Sequence, residues 1–314
     1  MKFENEILEI EKRISELESF SKLKNINLNI EIQKEIKKRD SLLKEAYSNL
    51  SSWDKVLIAR DPNRPYTLDY IELLTENFVE LHGDRLYKDD HSIIGGMGQI
   101  DGKSIMIIGH QKGRTTEEKL FRNFGMANPE GYRKILRLLK LAEKFKIPVL
   151  TLIDTPGAYP GIEAEKHGQG EAIARNLMEM SGIKTPLISI IIGEGGSGGA
   201  LGLGVTDKIF MLENSVYSVI SPEGCAAILY NNPDKIMEAA ENLKMSAQDL
   251  LNLKIIDKII PESQGGAHRN YQLTADNLKK VVLQSFTELM KLSPDKLLEN
   301  RYKKFRTIGE FYEN

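Results

Sequence analysis

Glycine is absent from the first 82 residues of this chain of 314 residues, whereas all 25 of its glycines lie between Gly83 and Gly309. Since a domain commonly holds about 150 residues, the length predicts about two domains. The step in glycine content places the boundary between them after residue 82. We therefore expect an N-terminal helical region over residues 1–82 and a second, larger domain over residues 83–314.

Cysteine is nearly absent too, because Cys225 is the only one. A single cysteine excludes an intrachain disulfide framework and any zinc site that needs several cysteines of this chain. An excess of positive charge is also missing, since the net charge is −2, which argues against a nucleic-acid partner. The most weakly charged window, residues 186–205, contains seven glycines and is poor material for a membrane helix. With no start that resembles a signal peptide, the sequence predicts a cytoplasmic protein.

The glycine-free region carries the periodicity of helices. Apolar residues recur at three- and four-residue intervals over residues 7–17, as in an amphipathic helix. A second such helix follows the interruption at residues 25–29. The pair predicts a helical hairpin in which each helix packs its single apolar stripe on another part of the protein. A third helix is predicted over residues 68–81, with Gly83 as its C-cap.

From residue 93 onward, predicted strands and helices alternate. The Asp101-Gly102 pair between residues 93–100 and 104–109 predicts a β-hairpin, because both residues tolerate the positive φ angles of a tight turn. Further strands are predicted over residues 147–153, 187–192, 208–212, 217–220 and 255–260, and helices over residues 129–145, 169–180 and 273–292 and from Pro222 onward. This alternation predicts an α/β fold with a largely parallel sheet, in units closer to strand–strand–helix than to strand–helix.

Two glycine-bearing loops follow predicted buried strands, at the carboxyl ends where open α/β sheets bind ligands. They cover residues 154–161 and 193–200, and the second has five glycines in the seven positions 193–199. Its backbone N–H groups can approach a ligand without a Cβ in the way, and the helix that follows adds positive potential. Such a loop is suited to bind an anion, or an oxygen that becomes one during a reaction.

Several functions compete for these loops. A GTPase is disfavoured, because Met97 stands where a phosphate-binding loop ending at Gly102-Lys103-Ser104 would need its first glycine. An enzyme that stabilises an oxyanion with backbone amides, acting on a thioester or a similar carbonyl, accounts for the excess of glycine. A purely structural role, as tight strand–helix turns, also stays open for both loops.

A serine hydrolase or protease is the main alternative. The second loop matches the G-x-S-x-G nucleophile elbow around Ser197, between a predicted strand and a helix. Asp207 or Asp257 and then His268 follow in the chain order that such a triad needs. One glycine on each side of the serine would suffice for an elbow, so this interpretation leaves the additional glycines unexplained.

Five blocks in order make the chain resemble a known family. They cover residues 122–134, 154–161, 193–201, 217–225 and 265–269. Together they closely resemble the carboxyltransferase α subunit of bacterial and plastid multisubunit acetyl-CoA carboxylase. The resemblance runs from about Trp53 to Asn270 and extends more loosely to the N-terminal helices. It implies a crotonase-like fold, which is a spiral of strand–strand–helix units, with an N-terminal helical extension.

The resemblance implies transfer of a carboxyl group from carboxybiotin, borne by a biotin carboxyl carrier protein, to acetyl-CoA. The product is malonyl-CoA, in the first committed step of fatty acid biosynthesis. The implied partners are a β subunit of the same fold, with the zinc ribbon and most of the CoA-binding surface, in an α2β2 assembly, and an ATP-dependent biotin carboxylase. In this chain we expect no metal, no covalently bound biotin, no activity without the β subunit, and N-terminal helices that dock onto partner subunits.

The resemblance also assigns the site. The backbone amides of Gly195, Gly196, Gly198 and Gly199 are expected to stabilise negative charge on the ureido oxygen of biotin, with the last two nearest to it. No side chain is expected to act as acid or base, so Ser197 is interpreted as a small spacer. The residues expected to shape the biotin side of the interface are Thr155, Pro156, Gly157, Ala158, Tyr159, Ser221, Pro222, Glu223 and Gly224.

Overall fold

The computed structural model describes residues 4–309 and is built around an eight-stranded sheet. The strands are β1 (Glu76–Glu80), β2 (Ile93–Ile100), β3 (Lys103–His110), β4 (Val149–Thr155), β5 (Leu187–Gly196), β6 (Lys208–Leu212), β7 (Val216–Ser218) and β8 (Lys258–Ile260). Their order is β1-β2-β3-β4-β5-β6-β8, and β7 pairs with the end of β5. β1, β2 and β3 are antiparallel, and every pair from β3 to β8 is parallel. The predicted α/β class with a largely parallel sheet is confirmed.

Helices precede the sheet, connect its strands and close the described chain. They are α1 (Glu4–Lys24), α2 (Asn29–Tyr47), α3 (Ser52–Ala59), α4 (Thr67–Leu74), α5 (Thr116–Phe121), α6 (Pro129–Phe145), α7 (Ile162–Lys166), α8 (Gln169–Ser181), α9 (Ser197–Gly204), α10 (Pro222–Cys225), α11 (Ile236–Asn242), α12 (Ala247–Asn252), α13 (Tyr271–Leu289) and α14 (Pro294–Arg306). Short 3-10 turns lie at Asn123–Gly125, Pro233–Lys235 and Ala267–Arg269, and a π turn at Ala226–Tyr230. No helix within residues 4–309 is long and apolar enough to cross a bilayer.

Two apolar layers hold the helices on the sheet. On one face, Tyr70 of α4 and Leu278 of α13 join Ile190 of β5 in a single cluster. On the other face, Leu138 of α6 packs in a second cluster with Ile191, again from β5. Because successive strand residues point to opposite faces, β5 is buried on both sides, as is usual in a parallel sheet. The strand that leads to the glycine-rich segment is therefore held rigidly.

Local signals predicted several elements well. The β2–β3 hairpin turns through Asp101 and Gly102 at φ +49° and +73°, as the Asp-Gly pair requires. α6 has the predicted bounds, although Asn128 makes no side-chain cap and its backbone N–H instead donates to Asp90 Oδ2 at 2.7 Å. Gly182 is the C-cap of α8, as predicted. The sequence did not predict α3, α5, α7, α11, α12 or α14, because each is short or lies beyond a turn signal.

The helix predicted over residues 68–81 is wrong beyond Leu74. The following residues form β1, which pairs antiparallel with β2 at Val79↔Met97 and Glu80↔Gly96. A Cβ at Gly96 would lie only 2.2 Å from the carbonyl oxygen of Val79, so β1 can approach β2 here only because Gly96 has no side chain. A partner strand elsewhere in the chain thus overrides the local helical pattern.

The helical hairpin at the start of the chain is confirmed as α1 and α2. The sequence predicted that each helix packs its apolar stripe on another part of the protein. Instead, the two stripes pack partly against each other, and Ile10, Ile14 and Ile32 form a small core between the helices. The hairpin is tied to the remainder by an ion pair between Glu11 and Arg269 at 2.7 Å. The division of the chain at residue 82 stays a prediction, although β1 already belongs to the main sheet.

Candidate active site

The two predicted glycine loops meet at the carboxyl edge of the sheet, where β4 and β5 run parallel. A Cβ at Gly196 would lie 2.1 Å from the carbonyl oxygen of Pro156. A Cβ at Gly199 would lie 2.6 Å from the carbonyl carbon of Gly157. Both distances are far below any real Cβ contact, so the two backbones touch directly. Glycine at 196 and 199 is what allows this close approach.

The second loop is not a loop throughout, which corrects the prediction. β5 continues through Gly196, and α9 begins at once with Ser197 at φ +46°, a left-handed conformation that serine seldom adopts. The first N–H groups of a helix have no acceptor within it, so the amides of Ser197, Gly198 and Gly199 lie at a donor-rich terminus. A Cβ at Gly198 would meet only Ile173, at 3.5 Å, so this position is open.

The first predicted loop is a braced turn. Thr155 Oγ1 accepts a hydrogen bond from the N–H of Gly157 at 3.1 Å and donates to its carbonyl at 2.8 Å. The N–H of Tyr159 donates to the carbonyl of Ala127 at 3.0 Å, and Gln169 donates to the carbonyl of Tyr159 at 2.9 Å. The loop therefore has a defined shape, with the Gly157 Cα facing open space.

The third predicted segment, residues 221–224, lies against the first two. Ser221 Oγ caps α10 by accepting from the N–H of Gly224 at 3.1 Å, and Pro222 opens the helix as predicted. A small cavity of about 30 Å³ separates the three segments. Its lining includes Pro156, Gly195, Gly196, Ser221 and Pro222. The structure thus brings the three segments together, while Ala158 turns inward to the apolar cluster beneath α6.

An ion-pair network that sequence reasoning missed joins these segments. Lys112 Nζ lies 2.8 Å from both Asp154 Oδ1 and Glu194 Oε2. Arg60 Nε lies 2.7 Å from Glu194 Oε1, and Arg60 Nη1 lies 2.5 Å from Glu223 Oε1. The position of Lys112, just after the predicted strand at 104–109, could have placed it at this edge of the sheet. No signal pointed to Arg60, which lies in the region predicted to dock.

The network fixes the charge of Glu194. Burial opposes ionisation of its carboxyl group, but Lys112 and Arg60 outweigh burial and hold the pKa of Glu194 below its usual range. Burial would likewise lower the pKa of both cations, yet the carboxylates raise it in each. Glu194 is therefore ionised, with a cation bound to each of its carboxylate oxygens. It joins neighbouring segments and does not act as a general base. Within residues 4–309, no group of three or more His, Cys, Asp or Glu is placed to hold a metal ion.

Within residues 4–309, the candidate triad partners of Ser197 are engaged elsewhere. Asp207 is held by Arg301 through two bonds of 2.9 Å, and Asp257 pairs with Lys304 at 2.5 Å. Both candidate aspartates are thus engaged by cations of α14. His268 instead lies beside Gly266, where a Cβ would be 2.9 Å from its ring. Nothing in the described part of the chain supports the serine hydrolase alternative.

His110, at the end of β3, is a buried imidazole beside this network. It is fully buried, with the backbone of Leu152 and the charge of Lys112 close to its ring. Burial, aided by the charge of Lys112, lowers the pKa of His110 to about 3. An unfolded histidine binds a proton below roughly pH 6.5. Between these values the unfolded state binds more protons than the folded state, so acid destabilises the fold.

We expect the free energy of unfolding to fall by up to about 1.4 kcal/mol per pH unit as the pH drops below roughly 6.5. Urea unfolding at pH 7, 6 and 5 measures this slope. His110→Leu, which removes the titrating group, should flatten the curve in that window. The exposed His91 serves as a control, and His91→Gln should keep the original slope. An unchanged slope in His110→Leu would contradict the assignment.

Solved structures of low sequence identity share this fold. A chain of a Pseudomonas malonate decarboxylase hetero-tetramer matches with a TM-score of 0.60 and 14% identity, over 74% of this chain and 91% of that chain. Transcarboxylase 12S matches with a TM-score of 0.55 and 17% identity, over 68% of this chain and 41% of that chain. The β subunit of Pseudomonas aeruginosa geranyl-CoA carboxylase matches with a TM-score of 0.53 and 16% identity, over 73% and 45%. The fold is therefore that of the crotonase-like carboxyltransferases.

Comparisons of sequence identify the family within that class. The family model described as acetyl co-enzyme A carboxylase carboxyltransferase-like matches residues 1–309. The carboxyl transferase α subunit of acetyl-CoA carboxylase from Fusobacterium nucleatum is 65% identical over 99% of both chains. That of Geobacter metallireducens is 52% identical over 100% of this chain and 98% of the relative. The chain belongs to the family of acetyl-CoA carboxylase carboxyltransferase α subunits, which confirms the resemblance.

Proposed function

We propose that this chain is the α half of a carboxyltransferase that moves a carboxyl group from carboxybiotin to acetyl-CoA. The product is malonyl-CoA, in the first committed step of fatty acid biosynthesis. The observation that carries the proposal is the set of backbone amides at the end of β5 and the start of α9, packed against the loop after β4. The match to the family along residues 1–309 supports the same substrates.

The amides of Gly195, Gly196, Gly198 and Gly199 are the proposed catalytic groups. Carboxybiotin supplies the carboxyl group, and its ureido oxygen carries negative charge once that group leaves. Donors fixed in a site without water stabilise such charge, because they need no reorganisation during the reaction. The site fits this requirement: its donors belong to the backbone, and the positions facing the open side lack side chains. The methyl proton of acetyl-CoA would pass to the ureido nitrogen from which the carboxyl group departs, so no acid or base of this chain is required.

The two other segments are proposed to shape the biotin side of the site. The backbone of Pro156 and Gly157 touches the glycine segment, and the bonds of Thr155 and Tyr159 keep that contact in place. The capped start of α10 closes the small cavity from the opposite side. These contacts would orient a planar ring and exclude water from the amides.

Exposed apolar residues around the site support a partner that covers it. Phe124, Ile162, Leu201 and Val219 lie next to the glycine segments and are 45%, 76%, 41% and 75% exposed. We propose that a carboxyltransferase β subunit, zinc-bearing and with most of the CoA-binding surface, covers this face in an α2β2 assembly. Biotin would arrive on a biotin carboxyl carrier protein, charged by a biotin carboxylase that uses ATP. The cytoplasmic location predicted from the sequence stays a prediction.

The tip of the α1–α2 hairpin is the proposed docking point of the N-terminal region. Phe20, Leu23 and Ile30 are 49%, 82% and 84% exposed near the turn between the two helices. Such a concentration of exposed apolar side chains at one end of a hairpin is typical of an interaction site.

The test is reconstitution of the reaction from purified components. The chain alone should form no malonyl-CoA from acetyl-CoA and carboxybiotin, because half of the site is missing. Addition of the β subunit should give sustained malonyl-CoA formation, followed by mass spectrometry. Transfer by the chain alone would overturn the division between subunits, and inactivity of the assembled complex would overturn the proposed function.

A further inference from the structure

Five charged side chains form one continuous chain of bonds beneath the site. They come from five places in the fold: Arg60 after α3, Lys112 after β3, Asp154 in β4, Glu194 in β5 and Glu223 in α10. All three segments of the proposed site therefore contribute one carboxylate. The two cations hold these carboxylates together, although neither cation belongs to the three segments.

We propose that Lys112 and Arg60 are positioning residues, which orient the catalytic amides by holding Glu194. This inference rests on the proposed function of those amides. Residues 193–196 contain a single side chain, that of Glu194. Glycine adopts many backbone conformations, so a strand end rich in glycine needs a restraint from outside its own backbone. Within residues 193–196, no side chain other than that of Glu194 can supply this restraint. Glu194 is therefore the side chain through which the two cations restrain the end of β5.

The bonds to Glu194 restrain it at three points. Its N–H donates to Asp154 Oδ1 at 2.9 Å, which fixes the peptide unit before it. Its two carboxylate oxygens accept from Lys112 at 2.8 Å and from Arg60 at 2.7 Å. Because Arg60 also binds Glu223, a shift of the end of β5 would displace α10 as well. The amides and the biotin-facing segments are thus coupled to one another.

Lys112 has a second effect, because it separates two carboxylates. Its Nζ lies 2.8 Å from both Asp154 and Glu194, and its side chain is only 14% exposed. Without this cation the two carboxylates would repel each other in a buried site, and Glu194 would move away from Asp154. Removing one of the two charges should relieve that repulsion, an effect that a simple loss of stability would not show.

The experiment compares Lys112→Met with the wild-type chain, each assembled with the β subunit. We expect kcat for malonyl-CoA formation to fall by about 10²-fold, as for a small displacement of catalytic groups. The double variant Lys112→Met/Glu194→Gln removes one of the two charges, so it should recover part of kcat.

Lys304→Met is the matched control. Lys304 is 16% exposed and forms an ion pair with Asp257 at the α14 side, away from the site. It should lower the melting temperature while kcat stays at the wild-type value. A wild-type kcat in Lys112→Met would overturn the inference, as would a double variant no more active than the single one. Failure of the proposed function is distinguishable, because it would appear as an inactive wild-type complex.

Discussion

Gly199→Ala should lower carboxyl transfer by about 10²-fold or more, the loss expected when an oxyanion donor is misplaced. Its Cβ would lie 2.6 Å from the carbonyl carbon of Gly157 and 2.7 Å from the nitrogen of Ala158. Gly196→Ala should act in the same way, because its Cβ would lie 2.1 Å from the carbonyl oxygen of Pro156. Backbone atoms cannot rotate away as a side chain can. The two segments must therefore separate, and the donors move with them.

Two other glycines make this test specific. Gly198→Ala should leave the two segments in contact, unlike Gly199→Ala, because its Cβ would meet only the flexible end of Ile173 at 3.5 Å. Gly170→Ala in α8 has nothing within 4 Å and should keep full activity. It should also gain about 0.5–1 kcal/mol of stability, as alanine does over glycine inside a helix. The measurement is kcat of the assembled complex. Equal activity of Gly199→Ala and wild type would show that the close approach is irrelevant.

Arg64→Met should cost about 3–5 kcal/mol of unfolding free energy, because it leaves a buried carboxylate without its cation. Arg64 binds both oxygens of Glu262, at 2.9 and 2.8 Å, and donates to the carbonyl of Ile192 at 2.8 Å. The two side chains are 1% and 0% exposed. Burial would raise the pKa of Glu262, but Arg64 outweighs it and holds that pKa below its usual value. The ion pair therefore stays charged in the core.

Urea denaturation measures this loss of unfolding free energy. The comparison holds if the free energy falls with urea concentration at the same slope in the variant and in the wild type. Arg175→Met is the control, because Arg175 and Glu171 form an exposed pair on α8 that should contribute about 1 kcal/mol at most. Arg64→Met/Glu262→Gln should be more stable than Arg64→Met alone, since it removes the uncompensated charge. A loss no larger in Arg64→Met than in Arg175→Met would contradict the buried-charge argument.

Much of the fold could be predicted because its signals are local. The turn at Asp101-Gly102 and the start of α6 at Pro129 depend on a few neighbouring residues, and both are present as predicted. β1 could not be predicted, because it forms by pairing with β2. That pairing is possible only because Gly96 has no side chain. A pattern read along residues 68–81 contains no information about that strand.

The candidate site also has features that the sequence predicts and features that it does not. The density of glycine pointed to residues 193–199, since no other residue type leaves backbone amides so accessible. The extended path through Gly196 and the left-handed Ser197 were not foreseen, because they follow from contact with the loop after β4. Arg60 was not found because 134 positions separate it from Glu194. Only the folded chain brings these two residues together.

The place of Arg60 and β1 has a practical consequence for shortened forms of the chain. A form that begins at Gly83 would leave β2 as a bare sheet edge, open to pairing with another molecule. It would also leave Glu194 and Glu223 without their shared guanidinium. A cut between Tyr47 and Ser52, after α2, would avoid both problems. The part of the chain that keeps both β1 and Arg60 therefore starts some thirty residues earlier than the glycine content suggests.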